Sequence, residues 1–307
     1  MPRTSVNLLD PLQGRRWLQL LTPDPDCGFR LKPNLNLPAR FLGFSLNSNR
    51  FGLRGPCDDR GQGVVFGTSF AMGIAVNNGE NWWDLALPTS GWMNLGLAVG
   101  FREWENLLGR YYRGSFDRAW LLYHPNFWVH CRMYERWRQS GTDVFRALRW
   151  RRSLPWCVYL KFRRAYRRPK QLQSGRLIEV HSDGGPFEID TEYVGMDFDK
   201  QSELFERNLE ILSRMLSRFR QVTMVRLRVK PELVPDNVAN QRLRRTCSVY
   251  DQWYEATRSG LHQRVSLDIL EGPPMKLPDY LPCDAHWNAR GNQCFGEWMR
   301  PKISTQS

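Results

Sequence analysis

Short apolar runs and helix-period patterns alternate along most of this chain. The first strong signal is Gly63-Val-Val-Phe66, which runs into Gly67-Thr-Ser-Phe-Ala-Met-Gly73. A buried strand ending in a glycine-flanked turn accounts for it. A helix is expected near Glu80–Leu87, and Trp92–Gly96 reads as a second short strand. Arg102–Tyr112 carries Trp104, Leu107, Leu108 and Tyr111 at helical spacing. Ala119–Tyr123 is a third apolar run, stopped by His124-Pro125-Asn126. The alternation resumes at Asp199, which can cap a helix reaching about Arg220, with Leu204, Leu209, Ile211, Leu212, Met215 and Phe219 apolar. Val222–Val229 alternates as a strand, Val238–Ser259 predicts a long helix, Val265–Leu270 a last strand, and a short helix starts near Ala289. Strands alternating with helices predict an α/β fold with a mainly parallel sheet covered on both faces.

Two stretches interrupt this rhythm. Residues 1–60 are rich in Pro, Asn and Gly, and are expected to form an irregular lead-in wrapping the domain. Residues 61–307 then form one α/β domain with a basic, Trp/Arg-rich insertion at about 128–198. Within it, residues 128–170 hold 13 Lys and Arg against only Glu135 and Asp143, together with four tryptophans. That excess is most of the net charge of the whole 307-residue chain, +13 from 44 Lys and Arg against 31 Asp and Glu. Arginine interleaved with Trp, Tyr and Phe fits a surface for a polyanion or an anionic membrane, and equally a solvated face with no partner.

Composition removes several classes. With 41% hydrophobic and 24% charged residues the chain can build a core, which excludes wholesale disorder. No window reaches the roughly 18–20 apolar residues that span a bilayer. Met1–Trp17 lacks the charged-then-apolar pattern of a signal peptide. Seven scattered cysteines without a CxxC predict reduced thiols in a cytoplasm. Cys283 and Cys294 flank His286, but the spacing closes no standard zinc pattern, so no metal is expected.

The residues with chemical potential cluster at strand ends. Ser69 follows the first predicted strand, where parallel α/β folds place their ligand sites. Its hydroxyl would face outward and its N–H could hold an oxyanion, although a serine in such a turn also serves as a helix cap. His286, in Asp284-Ala-His-Trp-Asn288, can act as a general base near neutral pH, with Asp284 fixing its tautomer. A histidine beside a tryptophan can also be structural. Asn126 can donate its side-chain amide to an oxyanion or simply form a turn after proline.

Taken in order, Gly67-x-Ser69-Phe70, Asn94-Leu-Gly96, Pro125-Asn126 and Asp284-x-His286-Trp-Asn-x-x-Gly291 resemble the SGNH/GDSL hydrolases over roughly residues 45–126 and 199–298. Leu46–Arg54 is similar to the NS-x-GFR stretch that precedes the serine block in many bacterial members. The Asp284-x-His286-Trp287 block is similar to that of the carbohydrate O-acetyltransferases related to the alginate acetylation proteins. The resemblance implies a flavodoxin-like three-layer α/β/α sandwich. It implies Ser69 as nucleophile, His286 as base and Asp284 as orienter. The implied oxyanion hole combines the Ser69 N–H, a second-block N–H at Gly100 or its neighbour Val99, and the Asn126 side chain. No cofactor is implied. The chain departs from the family pattern at Thr68 (usually Asp), at His124 (usually Gly) and in its Asp-x-His spacing, which is often Asp-x-x-His.

The expected function is hydrolysis of an O-acyl ester on a carbohydrate or similar small molecule. The alternatives are an O-acyltransferase with the same triad, in which a sugar hydroxyl replaces water, or a non-enzymatic polyanion- or glycan-binding protein. Trp82, Trp83, Trp92 and Trp128 can provide a sugar-stacking surface or pack in the core.

Overall fold

The computed structural model describes residues 19–87, 91–146, 167, 169–174, 176–183, 185–191, 198–234 and 240–304. The described part of the lead-in is more regular than its composition predicts. β1 (Leu21–Asp24) and β2 (Gly28–Leu31) pair antiparallel, and β3 (Asn36–Leu37) pairs with β4 (Leu46–Asn47) around the single turn of α1 (Ala39–Leu42). Strands of two to four residues are too short for a period-two pattern to stand out in sequence. Leu20, Leu31, Leu42, Phe44 and Leu46 form a small core of their own, which Met72 joins from the turn beyond the first sheet strand.

The α/β alternation then appears as expected. It runs through β5 (Gly63–Gly67), α2 (Trp82–Ala86), β6 (Trp92–Gly96), α3 (Phe101–Tyr111), β7 (Arg118–Tyr123) and α4 (Asn126–Gln139). After a hairpin of β8 (Leu177–Ser182) and β9 (Gly185–Asp190) it continues with α5 (Ser202–Leu216), β10 (Gln221–Arg226), α6 (Gln241–His262), β11 (Leu267–Glu271) and α7 (Ala289–Ser304). Asp199 opens a short 3-10 turn ahead of α5, and the last helix has 16 residues, longer than its sequence pattern suggests.

Five strands form one all-parallel sheet in the order β6-β5-β7-β10-β11. Counted within the sheet this is 2-1-3-4-5, the flavodoxin-like arrangement. Alternate side chains face opposite layers, as the pleat requires. Val64, Phe66, Leu121 and Met224 pack against α3, α4, α5 and α6. Val65, Trp120, Leu122 and Val225 pack against α2 and α7. The result is a three-layer α/β/α sandwich.

The basic stretch divides. Residues 126–139 are not an appendage: α4 buries Phe127, Trp128, Cys131, Tyr134 and Trp137 in the main core and turns its arginines outward. Basic residues masked this helix in the sequence because they occupy only its outer face. Residues 147–166 and 168, which carry most of the remaining charge, lie outside the described residues. The tryptophans considered as a sugar platform are core residues. Trp82, Trp83, Trp92 and Trp128 are all buried.

One buried charge ties the lead-in to the sheet. Arg54 donates to the carbonyls of Gly73, of Ser45 at 3.1 Å and of Val76 at 2.8 Å. Its own carbonyl accepts from the Asn94 amide at 3.1 Å, and the same amide reaches the Ala71 carbonyl at 2.9 Å. Burial pushes the guanidinium down to about 10, so it stays cationic at neutral pH. Arg54→Ala would leave several buried carbonyls unsatisfied as well as a cavity. A loss of at least about 3 kcal/mol in chemical denaturation is expected. Arg54→Lys should recover only part of it, because an ammonium lacks the planar fork that reaches separate carbonyls.

Candidate active site

In a 2-1-3-4-5 sheet the strand order reverses between β5 and β7, and the crevice at the carboxyl ends of those two strands is the natural ligand site. Ser69 follows β5 and Asn126 follows β7. The turn carrying Ser69 folds back over the strand ends, with Met72 N–H donating to the Thr68 carbonyl at 3.1 Å and Ile74 N–H to the Ser69 carbonyl at 3.3 Å. Two glycines allow this close approach. A Cβ on Gly67 would lie 2.4 Å from Ala71 Cβ, and one on Gly96 would lie 2.6 Å from the Ala71 and Met72 backbone. The Ser69 N–H donates to none of the described residues, which leaves it available to an anion.

His286 arrives from the other end of the chain. Its loop is a tight reversal in which Leu281 N–H donates to the His286 carbonyl at 2.8 Å, and Tyr280 bridges Trp287. Asn288 closes the reversal by donating to the carbonyls of Pro278 at 2.7 Å and Tyr280 at 3.1 Å. Gly291 sits where a Cβ would be 2.2 Å from the Asp279 carbonyl oxygen. The Asn and Gly of the Asp-x-His-Trp-Asn-x-x-Gly block therefore have structural tasks. Trp287 is buried against Phe70 and Phe295, and Phe70 also lies under the His286 ring at 5.2 Å.

These elements bring three expected residues into one chain of contacts. His286 Nε2 lies 2.6 Å from Ser69 Oγ. His286 Nδ1 meets Asp284 Oδ1, which also accepts the His286 backbone N–H at 2.9 Å. That Asx-type turn is how the short Asp-x-His spacing works: the carboxylate curls back onto its own loop and still reaches the ring. Burial alone would raise the Asp284 carboxyl. The His286 ring, the hydrogen bonds from it and the Lys230 ammonium outweigh burial and hold the carboxyl below its ordinary value. A lowered carboxyl contributes stability at neutral pH that is lost as the pH falls through its folded value.

Asn126 opens α4 and lines a cavity of about 370 Å³ beside His286 and His124. Its backbone N–H donates to His124 Nδ1 at 3.3 Å. His124 packs on Phe70 at 4.5 Å. Burial, then the neighbouring His286 and His130, hold it well below the ordinary histidine value, so it is a neutral wall. Gly100 precedes α3 and is packed near Glu103, Cys131 and Tyr134; like Ser69, it is not among the residues lining the cavity. The alternative Val99 amide is already bonded to the Leu97 carbonyl at 2.9 Å. Both ring nitrogens of His286 face Asp284 and Ser69, and among the described residues no group of three or more His, Cys, Asp or Glu could hold a metal.

Two parts of the site escaped the sequence. The far cavity wall comes from the β8–β9 hairpin, which presents Glu188 and Asp190 while Phe187 and Ile189 are buried against Leu243 and Leu277. The alternation of Phe187-Glu-Ile-Asp190 was a usable strand signal. The second is Lys230, buried just beyond β10 and one of seven lysines in a chain with 37 arginines.

The serine–histidine contact predicts a specific reactivity. A fluorophosphonate should label the chain once, at Ser69, as peptide mass spectrometry would show. Ser69→Ala should abolish labelling and His286→Ala should slow it at least about 100-fold. Unchanged labelling of Ser69→Ala would mean that the reactive group is elsewhere.

No family model, no curated protein and no solved structure matches this chain, so the assignment of the site rests on its own geometry.

Proposed function

We propose that this protein is a serine-dependent O-acyl ester hydrolase acting on an acylated carbohydrate or similar small ester. The observation that carries the reading is the continuous Asp284–His286–Ser69 contact chain at the switch point of the sheet. In the proposed cycle Ser69 Oγ attacks the ester carbonyl carbon while His286 Nε2 takes the hydroxyl proton. Asp284 holds the ring and stabilises the imidazolium. The Ser69 N–H and the Asn126 side chain face the developing oxyanion, with the Gly100 backbone amide as a third donor. Collapse breaks the bond to the leaving alcohol, which takes the proton from His286. Water, deprotonated by His286, then releases the acyl group and restores Ser69.

The cavity beside His286 supports a small substrate. Its 370 Å³ would enclose one sugar-sized or short acyl group rather than a polymer. Among the described residues no helix is long and apolar enough to cross a membrane. Residence in the cytoplasm belongs to the proposal, on the strength of seven scattered cysteines.

The test is release of acetate from a neutral aryl acetate and from a per-acetylated monosaccharide. Ser69→Ala, folded by circular dichroism, should lose at least about 1,000-fold in kcat, and Asp284→Asn a comparable factor. Asn126→Ala should lower kcat about 100-fold with little change in KM, as expected for a donor used chiefly in the transition state. Equal turnover by wild type and Ser69→Ala would remove the serine mechanism.

A further inference from the structure

Lys230 is the only buried lysine among the described residues, 4% exposed. It opens the 3-10 turn Lys230–Leu233 beyond β10. Its Nζ donates to the carbonyls of Leu281 at 2.5 Å, Pro282 at 3.1 Å and Glu188 at 3.5 Å. An ammonium has three N–H donors and no acceptor, and here all three reach main-chain oxygens. Two of those oxygens belong to the loop just ahead of Asp284, and the third belongs to β9. The same joint is closed by Glu188 N–H donating to the Pro282 carbonyl at 2.9 Å. The β10 end, the cavity hairpin and the acid–base loop therefore meet at one ammonium.

Carbonyls turned inward at one point make a negative spot that water does not reach, and a cation there replaces the lost hydration. The same charge lies close enough to Asp284 to favour its ionised form. We propose that Lys230 is a positioning residue for the acid–base loop. Its ammonium holds Leu281–Pro282 against β9, and so keeps Asp284 and the His286 ring in line with Ser69. The proposal rests on the ester-hydrolase reading of the same site. It also makes the cavity hairpin part of the catalytic framework, because β9 shares the joint.

The charge itself matters to this role. Burial pushes the lysine down to about 8, against the pull of Asp284 and Cys283 from the loop and Glu188 from β9. Among the described residues those are the groups whose charge acts on it, Arg176, Asp190, His124 and His286 line the same cavity, and the Phe187 ring lies 5.5 Å away. Below about pH 8 the cation grips the loop; above it a neutral amine has one donor fewer and no charge.

The experiment compares wild type, Lys230→Met and Lys230→Arg in the full chain, with kcat and KM for a neutral aryl acetate across the alkaline range. Lys230→Met should lower kcat about tenfold or more and leave KM within about twofold, since misalignment of reacting groups acts on the transition state. Wild-type kcat should decline above about pH 8, and that decline should vanish in Lys230→Met. In Lys230→Arg it should move to higher pH, with part of kcat recovered, because a guanidinium stays charged. A wild-type kcat in Lys230→Met, or an alkaline decline that stays in place in Lys230→Arg, would overturn the proposal. If Lys230→Met fails to fold, the Lys230→Arg profile decides alone.

A second readout needs no turnover. In a proton NMR spectrum of the chain without substrate, the Nδ1 proton of His286 bonded to Asp284 should give a low-field signal. That signal should weaken or broaden in Lys230→Arg and more in Lys230→Met. An unchanged signal in both overturns the positioning role even if the wild type proves to hydrolyse no ester, and that latter result counts against the enzymatic reading alone.

Discussion

A buried guanidinium organises the front of this molecule. The chain leaving β5 must turn sharply away from the sheet, and the carbonyls of that turn point inward where no strand can pair with them. Arg54 gathers those of Gly73 and Val76, and Asn94 takes that of Ala71. Buried main-chain oxygens without partners would cost more than the turn could bear. Ser69 is therefore held by a residue 15 positions earlier, at the end of the lead-in. The pin has a second edge in Phe44 and Trp83, whose rings lie 5.7 Å and 5.6 Å from the guanidinium. A charge buried without a bonded carboxylate is tolerated here because carbonyl dipoles and aromatic faces take the place of water.

The rest of the site follows from parallel topology. All five strands end on the same side, so the turns after β5, β6, β7 and β10 share one rim. Ser69 and Asn126 come from the two strands that flank the reversal of order. Their side chains need no long-range search once the sheet has formed. His286 is different. It reaches Ser69 across 217 positions of sequence, on a loop whose shape depends on Asn288, Gly291 and the packing of Trp287. The hydrophobic contacts of Phe70 with His124, His286 and Trp287 make one aromatic side chain the common floor under both histidines.

The insertion between β7 and α5 serves two ends. Its first part completes the sandwich as α4, with arginines outside and aromatics inside. Its last part supplies the hairpin that walls the cavity and meets the acid–base loop. The pairing of Arg138 with Glu103 of α3 shows that some of its charge balances charge on a neighbouring helix. A high arginine count is thus no direct measure of a binding surface, because guanidinium groups also satisfy local partners.

Much of this was legible in the sequence. Short continuous apolar runs such as Val64-Val-Phe66 and Ala119-Trp-Leu-Leu-Tyr123, alternating with helix-period segments, fit strands buried on both faces and so imply a parallel sheet. Ser69, Asn126, Asp284 and His286 were visible because strand ends and short polar blocks stand out against apolar surroundings. The approach of His286 to Ser69 and the use of Asp284 through an Asx-type turn were decided by tertiary structure, since each depends on how loops pack over strand ends. The same holds for Arg54 and Lys230. Their sequence neighbourhoods name no partner, because each bonds main-chain carbonyls, and every residue type carries one. Only the folded chain determines which of those oxygens converge on a buried cation.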